Sequence, residues 1–235
     1  MIENLIPRSV NRDLLLKIMI ASSAMSVVLL SFRMYFTGTP SYIFLAWNLF
    51  LAWIPFLCAM CIHEIKIYSN KKYLTYFLLG IWLLFFPNSP YIITDLFHLH
   101  PRPGMPLWFD LFLIISFAWN GLMLGFASLI IVQKWLSENF KEWITWSMVT
   151  VLMFLCGYGV YLGRFGRWNS WDVLANGKDL GANVFHDIFY PFENMRMLGV
   201  TSIFGTFLLL GYLTLLALMN LNKNTEHVEH DKTNG

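Results

Sequence analysis

Six stretches of this chain, near 18–36, 41–62, 73–94, 107–133, 143–163 and 198–220, are each apolar for long enough to cross a bilayer. A span needs about 20 mostly apolar residues, because the hydrocarbon layer is roughly 30 Å thick and a helix rises about 1.5 Å per residue. Backbone amides in hydrocarbon must find partners inside their own segment, so stretches of this length are expected to be helices. The expected fold class is therefore all-α, a polytopic transmembrane helical bundle of about six spans. These spans use most of the 235 residues, leaving a single transmembrane domain over 1–221 and a polar tail at 222–235 expected to lack fixed structure. Charged residues make up 13% of the chain, against roughly 25% in a soluble domain. That much apolar surface excludes a water-soluble fold.

Lysine and arginine are sorted to opposite ends of the six-span arrangement. Eight of nine lysines (Lys17, Lys66, Lys71, Lys72, Lys134, Lys141, Lys223, Lys232) fall at one end, and five of seven arginines (Arg33, Arg102, Arg164, Arg167, Arg196) at the other. Basic residues flanking spans favour the cytoplasm, so both termini are expected there, with the arginine end facing outward. Snorkelling to head groups is the bland alternative for an outward arginine, Arg33 included, and it suits the paired Arg164 and Arg167 less. Arg8, Arg12 and Lys17 precede the first apolar run as in a secretory signal, but no small-x-small site follows near 32–39, so the span is expected to stay uncleaved. A net charge of +2 without a basic tract gives no reason to expect a nucleic-acid partner. The partner that composition implies is the lipid bilayer. Cys58, Cys61 and Cys156 fall inside spans, where packing is the expected role.

The third stretch is the unusual one. It reads FFPNSPYIITDL from Phe85 to Leu96, with Pro87 and Pro90 three residues apart at lipid depth. Proline lacks an amide donor and clashes with the carbonyl four residues back, so Leu83 and Phe86 should lose their usual partners. Asn88 and Ser89 are placed to replace some of them. Two outcomes are open: a discontinuous helix lining an outward cavity, or a kink that only ends a short span.

Three segments at the arginine end are expected to converge: PNSPYIITDLFHLHPRPG (87–104), PLWFDL (106–111) and GRFGRWNSWD (163–172). They supply the candidate polar site: Asp95, His98, Arg102, Asp110, Arg164, Arg167, Asn169 and Asp172. Asp110 lies about one turn inside the fourth span, where an ionisable group calls for a partner. Arg164 or Arg167 is the expected one. The three-residue spacing of these arginines puts both on one face of a continuing helix, where two guanidinium forks suit a phosphate or carboxylate. A structural corner paired with Asp95, Asp110 or Asp172, or an anchor to lipid head groups, accounts for the same residues. Trp168 and Trp171 suit head-group depth, and Asn169 or Ser170 suits a helix cap.

Asn120, followed by Gly121 and Gly125, reads as an interhelical hydrogen bond beside a close helix contact, or as a substrate contact. Gly157, Gly159, Gly163, Gly199, Gly205 and Gly211 likewise read as helix contacts, and Tyr158 and Tyr161 as cavity or belt residues. In the last outer loop, Val184, Phe185, Ile188 and Phe189 follow helical spacing opposite Asn183, His186, Asp187 and Tyr190. An interfacial helix ended by Pro191 is expected. Asp95, His98 and His100 with His186 and Asp187 hold metal-ligand chemistry, but Asp-x-x-His-x-His is no established spacing, so no metal or other cofactor is assigned. Serine-hydrolase, phosphate-loop and zinc-protease motifs do not occur.

With PNSPYIITDL, PLWFDL and RFGRWNSWD in this order, the chain resembles a family of bacterial multi-pass membrane proteins catalogued only as a domain of unknown function. The likeness runs from about the second span through the sixth. It implies a multi-pass protein of a bacterial plasma membrane and carries no catalytic roles. Three functions stay open: binding or transport of an anionic or amphipathic ligand, a membrane enzyme acting on a lipid-linked phosphate or glycan with Asp95 or Asp110 as base, and an accessory subunit holding a membrane-protein partner or a second copy.

Overall fold

A computed structural model describes residues 12–68, 72–168 and 172–233, with backbone alone at 66–68, 173–174 and 221–233. Helix α1 covers Arg12–Thr37, α2 Phe44–Tyr68, α3 Lys72–Phe85 and α4 Asn88–Tyr91; a 3-10 turn over Ile92–His98 completes the third span. Then follow α5 (Leu107–Asn139), α6 (Glu142–Arg164), the short α7 (Asp172–Ala175), α8 (Gly177–Phe189), a 3-10 turn at Pro191–Glu193, and α9 (Met195–Thr233). Among the described residues, six helical segments are long and apolar enough to cross a membrane: Arg12–Thr37, Phe44–Ile65, Lys72–His98, Leu107–Asn139, Glu142–Arg164 and Met195–Asn220. Each of the six apolar stretches thus became one span. Beyond Asn220 the backbone of α9 continues helically to Thr233, where composition alone predicts a tail without fixed structure.

The bundle is built around α5, which packs against α1, α2, α4 and the 3-10 turn, while α6 and α9 pair mainly with each other. Small residues explain how closely these elements approach. A β-carbon at Gly121 would collide with the Ser89 carbonyl oxygen, and one at Gly125 would lie 2.9 Å from Ser89 Cβ, so the two glycines of α5 seat the broken span. On α6, β-carbons at Gly159 and Gly163 would stand 2.8 Å from Pro87 and 2.9 Å from the Tyr91 ring. Gly157 does the same toward α9, where its β-carbon would lie 2.6 Å from the Thr201 carbonyl oxygen. Gly205 meets Phe154 and Gly211 meets Phe126, but Gly199 faces open space, so the expected contact is absent there.

Polar groups inside the spans are paired across helices. Asn120 Nδ2 reaches Ser26 Oγ at 2.9 Å and the Ser22 carbonyl at 3.2 Å on α1, as well as the Ser116 carbonyl on its own helix. The interhelical reading of Asn120 therefore describes its geometry. Its replacement by alanine should cost about 1 kcal/mol, the usual scale for such bonds in membranes. A detergent unfolding titration with an unchanged midpoint would remove it as a tie between α1 and α5. Tyr212 on α9 donates to Gln133 on α5, and Trp82 Nε1 donates to Ser128 Oγ at 3.1 Å.

Candidate functional site

Residues of the break supply part of the hydrogen bonding that its prolines remove, and tie it to α2. Asn88 Nδ2 donates to the Phe85 carbonyl at 3.0 Å, the Ser89 amide turns to the Phe86 carbonyl at 3.1 Å, and Ser89 Oγ reaches the Ala52 carbonyl on α2 at 3.4 Å. Chain direction changes here without leaving these carbonyls bare. Of the two outcomes open from sequence, the discontinuous helix bordering a cavity is the one observed.

The cavity measures about 740 Å³, within the range that encloses a drug-sized ligand. Three helices wall it with the same spacing: Phe44, Trp47, Asn48 and Leu51 on α2, Gly80, Leu83, Leu84 and Pro87 along α3 into the break, and Leu155, Tyr158, Gly159 and Leu162 on α6. Positions i, i+3, i+4 and i+7 form one face of a helix, so three faces look inward. Asn88, Tyr91, Asp95, His98, Arg164 and Trp168 close the arginine end.

Asp95 is 1% exposed. Its Oδ2 accepts from Asn48 Nδ2 at 2.8 Å, and Oδ1 lies 3.7 Å from Arg164 Nη1, an ion pair beyond hydrogen-bond length. The same Nη1 sits 3.0 Å from His98 Nε2. A guanidinium only donates, so His98 Nε2 accepts and the ring proton belongs on Nδ1. Arg164 also stacks over Phe97, 5.3 Å from its centroid. Asn48 was missed by sequence reasoning, although it is the single amide in an otherwise apolar second span.

Asp110 has a different partner from the one expected. Arg33, at the end of α1, holds it in a fork: Nε to Oδ1 at 2.7 Å and Nη2 to Oδ2 at 3.2 Å, both side chains 1% exposed. Arg33 is therefore no snorkelling residue. Its guanidinium carbon lies 4.6 Å from the centroid of the Tyr42 ring, and that of Arg102 lies 4.4 Å from the same centroid. Tyr42 takes a left-handed backbone, φ 69°, costly for a bulky residue and held by this stack. Burial first, then the neighbouring Asp110 charge, raises the Tyr42 phenol above its ordinary pKa, so it stays protonated. Its hydroxyl donates to the His98 carbonyl at 3.3 Å and ties this cluster to the cavity.

The candidate residues thus divide. Asp95, His98 and Arg164 meet at the cavity with Pro87 and Asn88, while Pro90 is buried in the break. Asp110 and Arg102 belong to the Arg33 cluster. Arg164 and Arg167 do not share a helix face, because α6 stops at Arg164 and Arg167 adopts φ 58°, which swings Trp168 N–H onto the Leu162 carbonyl at 3.1 Å. Arg167 is exposed. Asp172 starts α7, where it accepts from Asn176, and Asn169 lies outside the described residues.

The helix expected in the last outer loop is α8, with Phe185, Ile188 and Phe189 exposed. Asp187 points inward, accepting from Tyr158 at 2.9 Å and from Asn194 at 3.1 Å. His186 instead faces Glu193 at 3.5 Å. Among the described residues, no group of three or more His, Cys, Asp or Glu side chains gathers to hold a metal.

Six apolar spans among the described residues, one of them broken beside a cavity with a polar end, define a polytopic α-helical membrane protein with an internal cleft. A family model described as "Protein of unknown function (DUF1361)" matches residues 47–211, and the chain belongs to that family. The match begins in the second span and ends in the sixth. No curated protein and no solved structure matches the chain.

Proposed function

We propose that this protein binds an anionic, amphipathic ligand in the cavity between the broken third span and α6. The supporting observation is a polarity gradient inside one space: Arg164, His98, Asp95 and Asn48 sit at one end, and Leu51, Leu83, Leu84 and Leu155 line the rest. At the polar end Arg164 meets Asp95 at 3.7 Å, beyond hydrogen-bond length, and the neighbouring cluster joined through Tyr42 holds two guanidinium groups, Arg33 and Arg102, with one carboxylate, Asp110. A guanidinium beside an apolar slot recognises a phosphate or carboxylate head by a charge-assisted hydrogen bond. A broken span at a cavity is also how many transporters build a substrate site, which favours carriage over static retention. On this reading the arginine end faces away from the cytoplasm, both termini are cytoplasmic, and the membrane is a bacterial plasma membrane. The lysine bias supports the orientation.

Native mass spectrometry with phosphatidylglycerol as anionic probe and phosphatidylcholine as zwitterionic comparison tests the reading. Arg164→Gln should lower phosphatidylglycerol retention about tenfold or more, as loss of a charge-assisted bond does, and change phosphatidylcholine less. Arg164→Lys, which keeps the charge beside Asp95, should retain part of the binding. Equal retention of both lipids by all three proteins would contradict the proposal.

A further inference from the structure

We infer that the ligand is a membrane lipid of the leaflet at the arginine end, which enters sideways between α3 and α6 and seats an acyl chain in the lower cavity. This rests on the anionic-amphipath reading above and names its source. The lower rim consists of Gly80 and Leu83 on α3 and Leu155 on α6, with Trp47 of α2 nearer the polar end, all exposed and all within spans. Leu83 is 49% exposed, and Trp47 and Leu155 are 53% exposed each. Contact between α3 and α6 is slight at most. The gap between them therefore faces hydrocarbon.

Gly80 leaves the α3 edge of this gap without a side chain, and a β-carbon built there meets nothing within 4 Å. Depth fits a lipid as well. Leu155 stands nine residues before Arg164, roughly 13 Å along α6, close to half of a hydrocarbon layer roughly 30 Å thick. A head group at Arg164 thus leaves a chain running one leaflet deep beside Leu162, Gly159 and Leu155. A water-soluble anion would fill only the polar end. It would leave the apolar wall that joins the cavity to the bilayer without a role.

The test uses the full chain in nanodiscs with phosphatidylglycerol carrying a diazirine near the end of one acyl chain, and adducts are located by peptide mass spectrometry. The exposed Ile203 on α9 lies eight residues from the arginine end of its span, so it reports bulk lipid at a similar depth. Adducts around Gly80, Leu83 and Leu155 should exceed those around Ile203 in the wild type. Gly80→Leu, which fills open space, should lower them about tenfold, the scale of overpacking by a few methylenes, while the Ile203 adducts stay constant.

Equal labelling of both regions, unchanged by Gly80→Leu, would overturn lateral entry even if Arg164-dependent retention of phosphatidylglycerol held. Displacement of the labelled lipid by glycerol 3-phosphate at equal concentration would likewise overturn it, since the head alone would then be recognised. Loss of Arg164 dependence would instead strike the underlying binding proposal.

Discussion

Arg33→Ala should destabilise the protein by about 3–5 kcal/mol, the scale for removing one partner of a buried ion pair. Asp110 would then be a carboxylate 1% exposed with no guanidinium fork, on a side chain too short to reach head groups. Asp110→Ala should cost less, because a freed arginine can extend its charge toward the membrane surface. Combining Arg33→Met with Asp110→Leu should recover most of the loss, as apolar pairs of similar volume do in place of buried ions. Unfolding midpoints in detergent measure all three. A double variant no better than Arg33→Ala would show that the pair does more than neutralise itself.

The second large effect is expected at Gly121. A β-carbon there would overlap the Ser89 carbonyl oxygen and stand 2.8 Å from Ile92 Cδ1, so Gly121→Val forces the short helix α4 away from α5. The obstruction is backbone, which cannot rotate aside as a side chain can. The cost should be roughly 3 kcal/mol, at the upper end for overpacking. Anion binding should fall as well, because Asn88 and Tyr91 flank the displaced segment and line the cavity. Gly80→Ala offers the contrast: it lies within α3 with open space around it and should leave the midpoint unchanged or higher. Equal midpoints for Gly121→Val and Gly80→Ala would mean that α4 does not lie against α5.

Features written in local spacing were legible from sequence. The spans follow from apolar length, the break from Pro87 and Pro90, α8 from its two faces, and a close contact on α5, though not its partner, from Gly121 and Gly125. What escaped were pairings that depend on which helices become neighbours. Arg33 and Asp110 are 77 residues apart, and nothing in PLWFDL indicates that α1 rather than α6 stands beside it. Arg164 and Arg167 carry helical spacing, but the helix ends before the spacing can act, with Gly166 the only local hint. Asn48 carried a usable signal, a lone amide in apolar sequence. Its partner, 47 residues on, became visible only once α2 and the broken span were placed together.

The central claim is that the cavity beside the broken span holds an anionic amphipath with its head at Arg164. Electron cryomicroscopy of the protein in phosphatidylglycerol nanodiscs tests this most directly. Elongated density from Arg164 down past Gly159 to Leu155 is the predicted result. A closed bundle, with α6 packed onto α3 and no space between them, would contradict it.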